Sequence, residues 1–313
     1  MKRNFIIGNI GQSGKSHNGQ TVKTKIIIKE LIDAYGQEQV CVFDTSIGSK
    51  VLFMAPFVVL KAITKFDNVI ILPAQNAIRI LVPLLVVFNC IFKHTRIHYV
   101  VIGGWLPSFL KYKYLLTFFL KKVYRIYAET HQMQSALEKK GFKNVIYMPN
   151  CKPLNILMLN DLNLAYSEPY KICTFSRVWR LKGIADAVVA VKYINEKYKR
   201  EVFSLDIYGQ VESGDEEWFE NLKQNFPLGV NYMGCVAADK SVDVLKPYFF
   251  LLFPTRYVGE GIPGTIIDAY SAGLPVVSSK YPNFAEIVDD GVTGLGYDFA
   301  SVEALEKLLD DIV

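Results

Sequence analysis

Short runs rich in Val, Ile and Phe, most closed by a small polar cluster and followed by a helical pattern, recur along this 313-residue chain. In the first half they are NFIIGNI, QVCVFDTS, NVIILPAQ, IHYVVIGG, RIYAETH and NVIYMPN. The second half offers KICTFSR, SLDIYGQ, VNYMGC, FLLFPTR and PVVSSK. Strands that are apolar throughout are buried on both faces, and strands separated by helices pair in parallel. Helical segments such as GIADAVVAVKYINEKYKR and EEWFENLKQNF lie between them. The alternation comes in two blocks, parted by Lys152 to Lys171, a stretch with neither period. The expectation is an α/β chain of two doubly wound domains, residues 1–160 and 165–313. Their strand ends are expected to face a central crevice, where ligands of such sheets bind.

Composition agrees with this reading. Hydrophobic residues make up 51% of the chain, which excludes a disordered class and allows a large core. A net charge of +5 is small for a dedicated nucleic-acid binder, so no nucleic-acid partner is expected. The five cysteines form no CxxC pair, as in a reducing, cytoplasmic setting. The N-terminus has a basic start but too brief an apolar run for a signal peptide. The most apolar stretch, Ile80 to Phe92, is bounded by Arg79 and Lys93 and is shorter than the roughly 20 residues of a membrane span. A buried helix is expected there.

The densest chemistry lies in GEGIPGTIIDAYSAGLPVVSS, Gly259 to Ser279. Pro263 suits the first turn of a helix and Gly273 its C-terminal cap. The free N–H groups of that helix, just after Glu260, would stabilise a phosphate or a polar sugar edge. Asp268 would lie about one and a half turns in, able to accept from hydroxyls. Upstream, Arg177 closes a strand and Lys182 precedes a helix, a bidentate fork and a point charge suited to a diphosphate. The bland alternative for this pair is a solvated cationic helix start. No DxD follows a strand, His and Cys lack zinc spacing, and no G-x-S-x-G elbow occurs.

Taken in order, these segments resemble the retaining glycosyltransferases of the GT-B fold, family 4 (glycosyl transferases group 1). Glu260-x7-Asp268 followed by SAGLPVV is similar to the paired-acid region of that family. FSRVWRLKGIADAV, Phe175 to Val188, is similar to its donor-diphosphate segment, with Arg177 and Lys182 at the two cationic positions. IYMPNCKP resembles its Pro-Asn turn at the end of the first domain, and IYGQ its strand-Gly turn. The likeness covers nearly the whole chain. It implies a retaining, metal-independent transferase that moves a sugar from a nucleotide-diphosphate sugar to a glycan or lipid-linked saccharide in polysaccharide or cell-surface glycan biosynthesis. A UDP-sugar is the expected donor; it is a substrate, and no cofactor is expected. Implied roles are catalysis for Glu260 and diphosphate binding for Arg177 and Lys182. Gly261, Ile262, Pro263, Gly264, Thr265 and Asp268 would hold the donor sugar and ribose. Two departures stand out: Asp268 is one methylene shorter than the family's Glu, and the sequence ends at Val313, before the family's returning helix. A truncated product is therefore also expected. Alternatives that keep the fold are a nucleotide-sugar epimerase or a sugar phosphorylase; a non-catalytic partner subunit of a transferase is the non-enzymatic one.

GNIGQSGKSHNGQT, Gly8 to Thr21, looks like a phosphate loop, but a P-loop requires a Gly at position 9, where Asn9 stands. In the resembling family this loop faces the acceptor. Gly11, Gly14 and Gly19 allow close backbone approach, while Ser13, Lys15, His17 and Gln20 offer polar contacts. Other acceptor-side candidates are Gly103 and Gly104, where the family often has a His, and Glu129 and His131. His131 is alternatively the cap of the helix that follows. Finally, Leu106 to Arg125 interleaves aromatics with Lys111, Lys113, Lys121, Lys122 and Arg125. A basic, aromatic helix of this kind lies on an anionic membrane, here the inner face of the plasma membrane, or else is a core helix with a solvated Lys edge.

Overall fold

The structure, a computed structural model, describes residues 3–11, 19–47, 50–73, 75–92, 95–162 and 165–313. Contacts divide the chain into two units, Met1–Cys151 and Lys152–Val313. The segment starting at Lys152 thus belongs with the second unit; its Leu157 N–H donates to Ser271 O at 2.8 Å.

The first unit runs β1 (Asn4–Gly8), α1 (Gly19–Tyr35), β2 (Val40–Asp44), α2 (Lys50–Lys65), β3 (Asn68–Leu72) and α3 (Gln75–Phe92). It continues with β4 (Arg96–Val100), α4 (Leu106–Phe109), α5 (Tyr114–Leu120), β5 (Arg125–Ala128), α6 (His131–Lys139) and β6 (Val145–Tyr147). The six strands form one sheet in the order β2-β1-β3-β4-β5-β6, parallel throughout. Strand order reverses between β1 and β3.

The second unit runs β7 (Tyr170–Phe175), α7 (Ile184–Tyr198), β8 (Phe203–Tyr208), α8 (Glu216–Gln224), β9 (Val230–Gly234) and α9 (Ser241–Leu245). Then follow β10 (Phe250–Phe253), α10 (Gly264–Ser271), β11 (Val276–Ser279), β12 (Gly294–Tyr297) and α11 (Val302–Ile312). Its parallel sheet has the order β12-β11-β10-β7-β8-β9, reversing between β7 and β10. Both units are doubly wound, each with its own core.

The apolar pattern explains the packing. α3 buries Ile78, Leu81, Val82, Leu85 and Val86, a stripe at helical spacing that joins Val59 and Ile63 of α2 in one cluster. Fully burying such a side chain contributes about 1.5–3 kcal/mol, so Leu85→Ala, at 0% exposure, would cost about 2–5 kcal/mol. The other face of α3 is open, with Ile91 68% exposed. The expectation of a buried helix over Ile80 to Phe92 is therefore corrected to a helix buried on one face only. By length and composition alone Gln75–Phe92 is apolar enough to cross a membrane.

Three further expectations change. Leu106 to Arg125 is two short helices, broken where Tyr112 adopts φ +64°. Helix α6 is capped by Thr130, whose Oγ1 accepts from Met133 N–H at 3.1 Å, and His131 is instead its first residue. Pro263 is the N-cap of α10 rather than within its first turn. The C-terminal cap is as expected: Gly273, at φ +69°, lets Leu274 N–H reach Ala269 O at 2.8 Å.

Candidate functional site

In an open parallel sheet, ligands bind beyond the carboxyl ends of the strands where the order reverses. In the second unit that point lies between the loops after β7 and β10, and the chain laces these two loops together. Gly183, at φ +69°, sits where a Cβ would come 1.8 Å from Pro254 O. Arg256 N–H donates to Leu181 O at 2.8 Å, and the Arg256 guanidinium forks onto Asp186 at 2.5 and 2.9 Å. Gly209, after β8, approaches equally closely, since its Cβ would lie 1.9 Å from Ser176 O.

On this lacing, two residues that the sequence singled out separately come together. Lys182 Nζ donates to Glu260 Oε1, an ion pair between the two loops. Thr255 Oγ1 donates to the same oxygen at 2.8 Å, and Asn283 Nδ2 holds the Glu260 carbonyl at 2.6 Å. Glu260 is 7% exposed, and its Oε2 has no partner among the described residues. Directly after it come Gly261, Ile262 and Pro263, then α10 starting at Gly264. The first N–H groups of a helix have no partner within it, and no side chain caps this one. Thr265 Oγ1, in the first turn, is buried without a hydrogen-bond partner. An acid with a spare lone pair, an ammonium with spare donors and a bare helix N-terminus can together hold a polar, anionic ligand.

Arg177 stands at the same end of β7. Its Nη1 donates to Glu212 at 2.6 Å, its guanidinium lies 5.2 Å over the Trp179 ring, and Trp179 meets Tyr257 at 5.3 Å. Burial, reinforced by the charge of Glu260, pushes the Tyr257 hydroxyl pKa upward. Asp268 is placed differently. It is 3% exposed, both oxygens accept from Lys152 Nζ at 2.6 and 2.7 Å, and Ser241 Oγ donates to Oδ1 at 2.7 Å. Burial raises its pKa, against the opposing pull of Lys152.

Lys152, Ser241, Thr255, Asn283 and Glu212 were not among the sequence candidates. Only Lys152 carried a local signal, following the Pro-Asn turn. Ser241 and Asn283 lie 27 and 23 residues from the acids they serve, Glu212 lies 35 from Arg177, and Thr255, five residues before Glu260, stands in no pattern that marks it.

In the first unit, Gly11 turns at φ +70° and its N–H donates to Asn9 Oδ1 at 3.0 Å. Gln20, in the first turn of α1 after Gly19, donates to Leu72 O at 2.8 Å, across the β1–β3 reversal. Glu129 is 2% exposed; it accepts from Lys23 Nζ at 2.6 Å and from Gly103 N–H at 3.0 Å. Helix α1 and the loops after β4 and β5 are thereby tied together, with Gly104 beside Gly103. His131 stacks on Tyr147 with ring centres 3.8 Å apart. Ser13, Gly14 and Lys15 lie outside the described residues.

Similarity to known proteins runs in the same direction. Residues 161–313 match the family model of glycosyl transferases group 1. An uncharacterized glycosyltransferase of Methanocaldococcus jannaschii is 24% identical over 144 residues, 45% of this chain and 36% of that protein. The amylovoran biosynthesis glycosyltransferase AmsK of Erwinia amylovora is 25% identical over 155 residues, 46% of this chain and 36% of its own length. The matched region thus spans about a third of each of these relatives. Among solved structures, Anabaena HepE in complex with UDP and glucose superposes with a TM-score of 0.72 at 15% identity, covering 99% of this chain and 89% of that one. Residues 161–313 are therefore a domain of the glycosyl transferases group 1 family, carried by a chain with the GT-B fold.

Proposed function

We propose that this chain is a retaining glycosyltransferase that uses a nucleotide-diphosphate sugar, with UDP as the nucleotide, and a glycan or lipid-linked saccharide as acceptor. The observation that carries the reading is the largely buried Lys182–Glu260 pair at the strand reversal, immediately before the bare N-terminus of α10. The UDP and glucose in HepE and the biosynthetic glycosyltransferase role named for AmsK support the donor class and a transfer reaction.

In this reading the donor's anomeric C–O bond breaks and the diphosphate leaves with the electron pair. The acceptor hydroxyl forms the new bond on the same face, and its proton passes to the departing diphosphate. Arg177 and Lys182 stabilise the negative charge that develops there, so protein cations do the work a metal would do. Glu260 Oε2 and the N–H groups at Gly264 and Thr265 hold the sugar. Asp268 takes the ribose, which requires Lys152 or Ser241 to yield one of its oxygens. The loops of Gly11 to Gln20, Gly103–Gly104, Glu129 and His131 meet the acceptor. The work takes place in the cytoplasm, at the inner face of the plasma membrane.

Thermal unfolding with UDP, GDP and ADP, without metal, tests the reading. Ligand at a hundred times its dissociation constant adds roughly 2.7 kcal/mol. Stabilisation by UDP that disappears in Arg177→Ala is expected; no shift with any nucleotide would sink it. Product analysis without an acceptor separates an epimerase, which would alter the donor sugar itself.

A further inference from the structure

The two units carry opposite charge. Met1–Cys151 has 20 Lys and Arg against 7 Asp and Glu, a net +13; Lys152–Val313 has 15 against 23, a net −8. Within the first unit the imbalance is concentrated. Between Asp44 and Glu129 the sequence has 11 basic residues and one acidic residue, Asp67, whose carboxylate accepts from the Arg3 N–H at 3.0 Å.

That same region exposes its apolar side chains. Helix α2 packs on α3 and α3 on α5, and each turns large hydrophobic groups outward. Phe53 and Phe57 on α2 are 80% and 77% exposed, Ile91 and Phe92 on α3 are 68% and 53%, and Leu115 and Phe118 on α5 are 70% and 55%. Their spacing within α2 and α5 is one helical turn, so each helix presents a face rather than a stray residue. Lys61 and Lys65 end α2, and Lys121 and Lys122 follow α5; none of the four enters an ion pair among the described residues. Lys122 Nζ lies 5.5 Å over the Phe118 ring.

The geometry points to a docking face on α2, α3 and α5 whose occupant is an anionic lipid bilayer. Apolar side chains at its centre enter the headgroup boundary, and long lysines at its edges reach the lipid phosphates while their stems stay in apolar surroundings. Charge selects the occupant. A second copy of the chain would press this basic face against itself in a two-fold contact, with like charges opposed, whereas an anionic surface complements it. The inference deepens the lipid-linked acceptor reading and rests on it for its purpose, though not for its geometry.

Flotation with vesicles of phosphatidylcholine, with and without phosphatidylglycerol, and with no nucleotide present, tests it. The chain is expected to float with the anionic vesicles only, and binding falls about tenfold or more when salt is raised to about 1 M. Phe57→Glu with Leu115→Glu, and Lys121→Glu with Lys122→Glu, each reduce binding roughly tenfold or more with an unchanged thermal midpoint. Leu228→Glu, at an 84% exposed position of the second unit, leaves it unchanged. Absence of flotation, or flotation indifferent to the α2 and α5 variants, overturns the proposal. So does a dimer in size exclusion that Phe57→Glu dissolves without any vesicle binding. Because donor binding is read separately through Arg177→Ala, failure of one reading leaves the other to stand or fall alone.

Discussion

Each unit buries a lysine–glutamate pair at the carboxyl ends of its strands, and the two pairs differ in what they leave over. In the first unit both oxygens of Glu129 are taken, Oε1 by Lys23 and Oε2 by Gly103 N–H. In the second, Lys182 and Thr255 share Glu260 Oε1, and Oε2 is left without a partner among the described residues. Glu260 Oε2 is not among the buried atoms that lack a partner, so it keeps contact with the surroundings and can accept from a group outside the chain. The closed pair ties α1 to the loops after β4 and β5; the open pair leaves one acceptor atom uncommitted.

The sharpest way to break this comparison is to neutralise the two acids in turn. Glu260→Gln is expected to lower turnover by about 10²–10³-fold, read as release of nucleoside diphosphate. Glu129→Gln acts on stability instead. It leaves the Lys23 ammonium buried without a counter-charge, at a cost of about 3–5 kcal/mol in urea unfolding, and the double variant with Lys23→Met regains most of that loss. If Glu129→Gln cost as much turnover as Glu260→Gln, the distinction between closed and open pairs would be wrong.

Acid titration sharpens the contrast at one group in each unit, His98 and Asp268, whose contributions run with opposite sign. In the first unit, burial first, then the charges of Arg96 and Arg125, hold the His98 pKa down at about 4 from an ordinary 6.5. A base depressed in this way contributes stability that is present above 6.5 and lost as pH falls toward 4. Burial raises the Asp268 carboxyl, so its contribution is fully present below the ordinary 3.8 and is lost as pH rises through the raised value. His98→Gln should flatten the acid limb of the stability curve, and Asp268→Asn the opposing slope, both measured as urea midpoints against pH. A His98→Gln curve that still fell between pH 6.5 and 4 would assign that limb to another group.

The smallest effect belongs to the half-exposed pair, Arg177 with Glu212, whose side chains are 36% and 32% exposed. Breaking it by Glu212→Gln should change stability by less than about 1 kcal/mol. Nucleotide affinity should rise by less than about tenfold as the guanidinium is released, which isothermal calorimetry measures. A weakened affinity would mean that Glu212 orients Arg177 rather than competing for it.

The sequence displayed most of the fold because apolar runs inside parallel sheets need no partner to be recognised. Strands β1 to β11 each sit on one of the runs read from sequence alone. β12 does not: GLGY has two glycines and no run of branched side chains, and it is a strand because β11 pairs with it. The break in Leu106 to Arg125 was hidden for a related reason, since a single positive φ at Tyr112 leaves no periodic trace. Arg177, Lys182, Glu260 and Asp268 were singled out from the order of their segments, and of these the structure joins Lys182 to Glu260. Their other partners were not singled out. Lys152 meets Asp268 across 116 residues and Lys23 meets Glu129 across 106, and no local pattern encodes such a meeting.

The ends of the two sheets bear on how the chain avoids sticking to its own copies. A sheet edge offers unpaired backbone groups to any passing strand, and a short or glycine-bearing edge offers few that stay in register. β6 is three residues long, and β12 is four residues with glycines at 294 and 296. On the opposite edges, β2 ends at Asp44, and β9 alternates exposed Asn231 and Met233 with more buried neighbours before ending at Gly234. Substitutions that lengthen or enrich these margins in branched apolar residues would therefore show first as aggregation at high concentration, with folding and ligand binding intact.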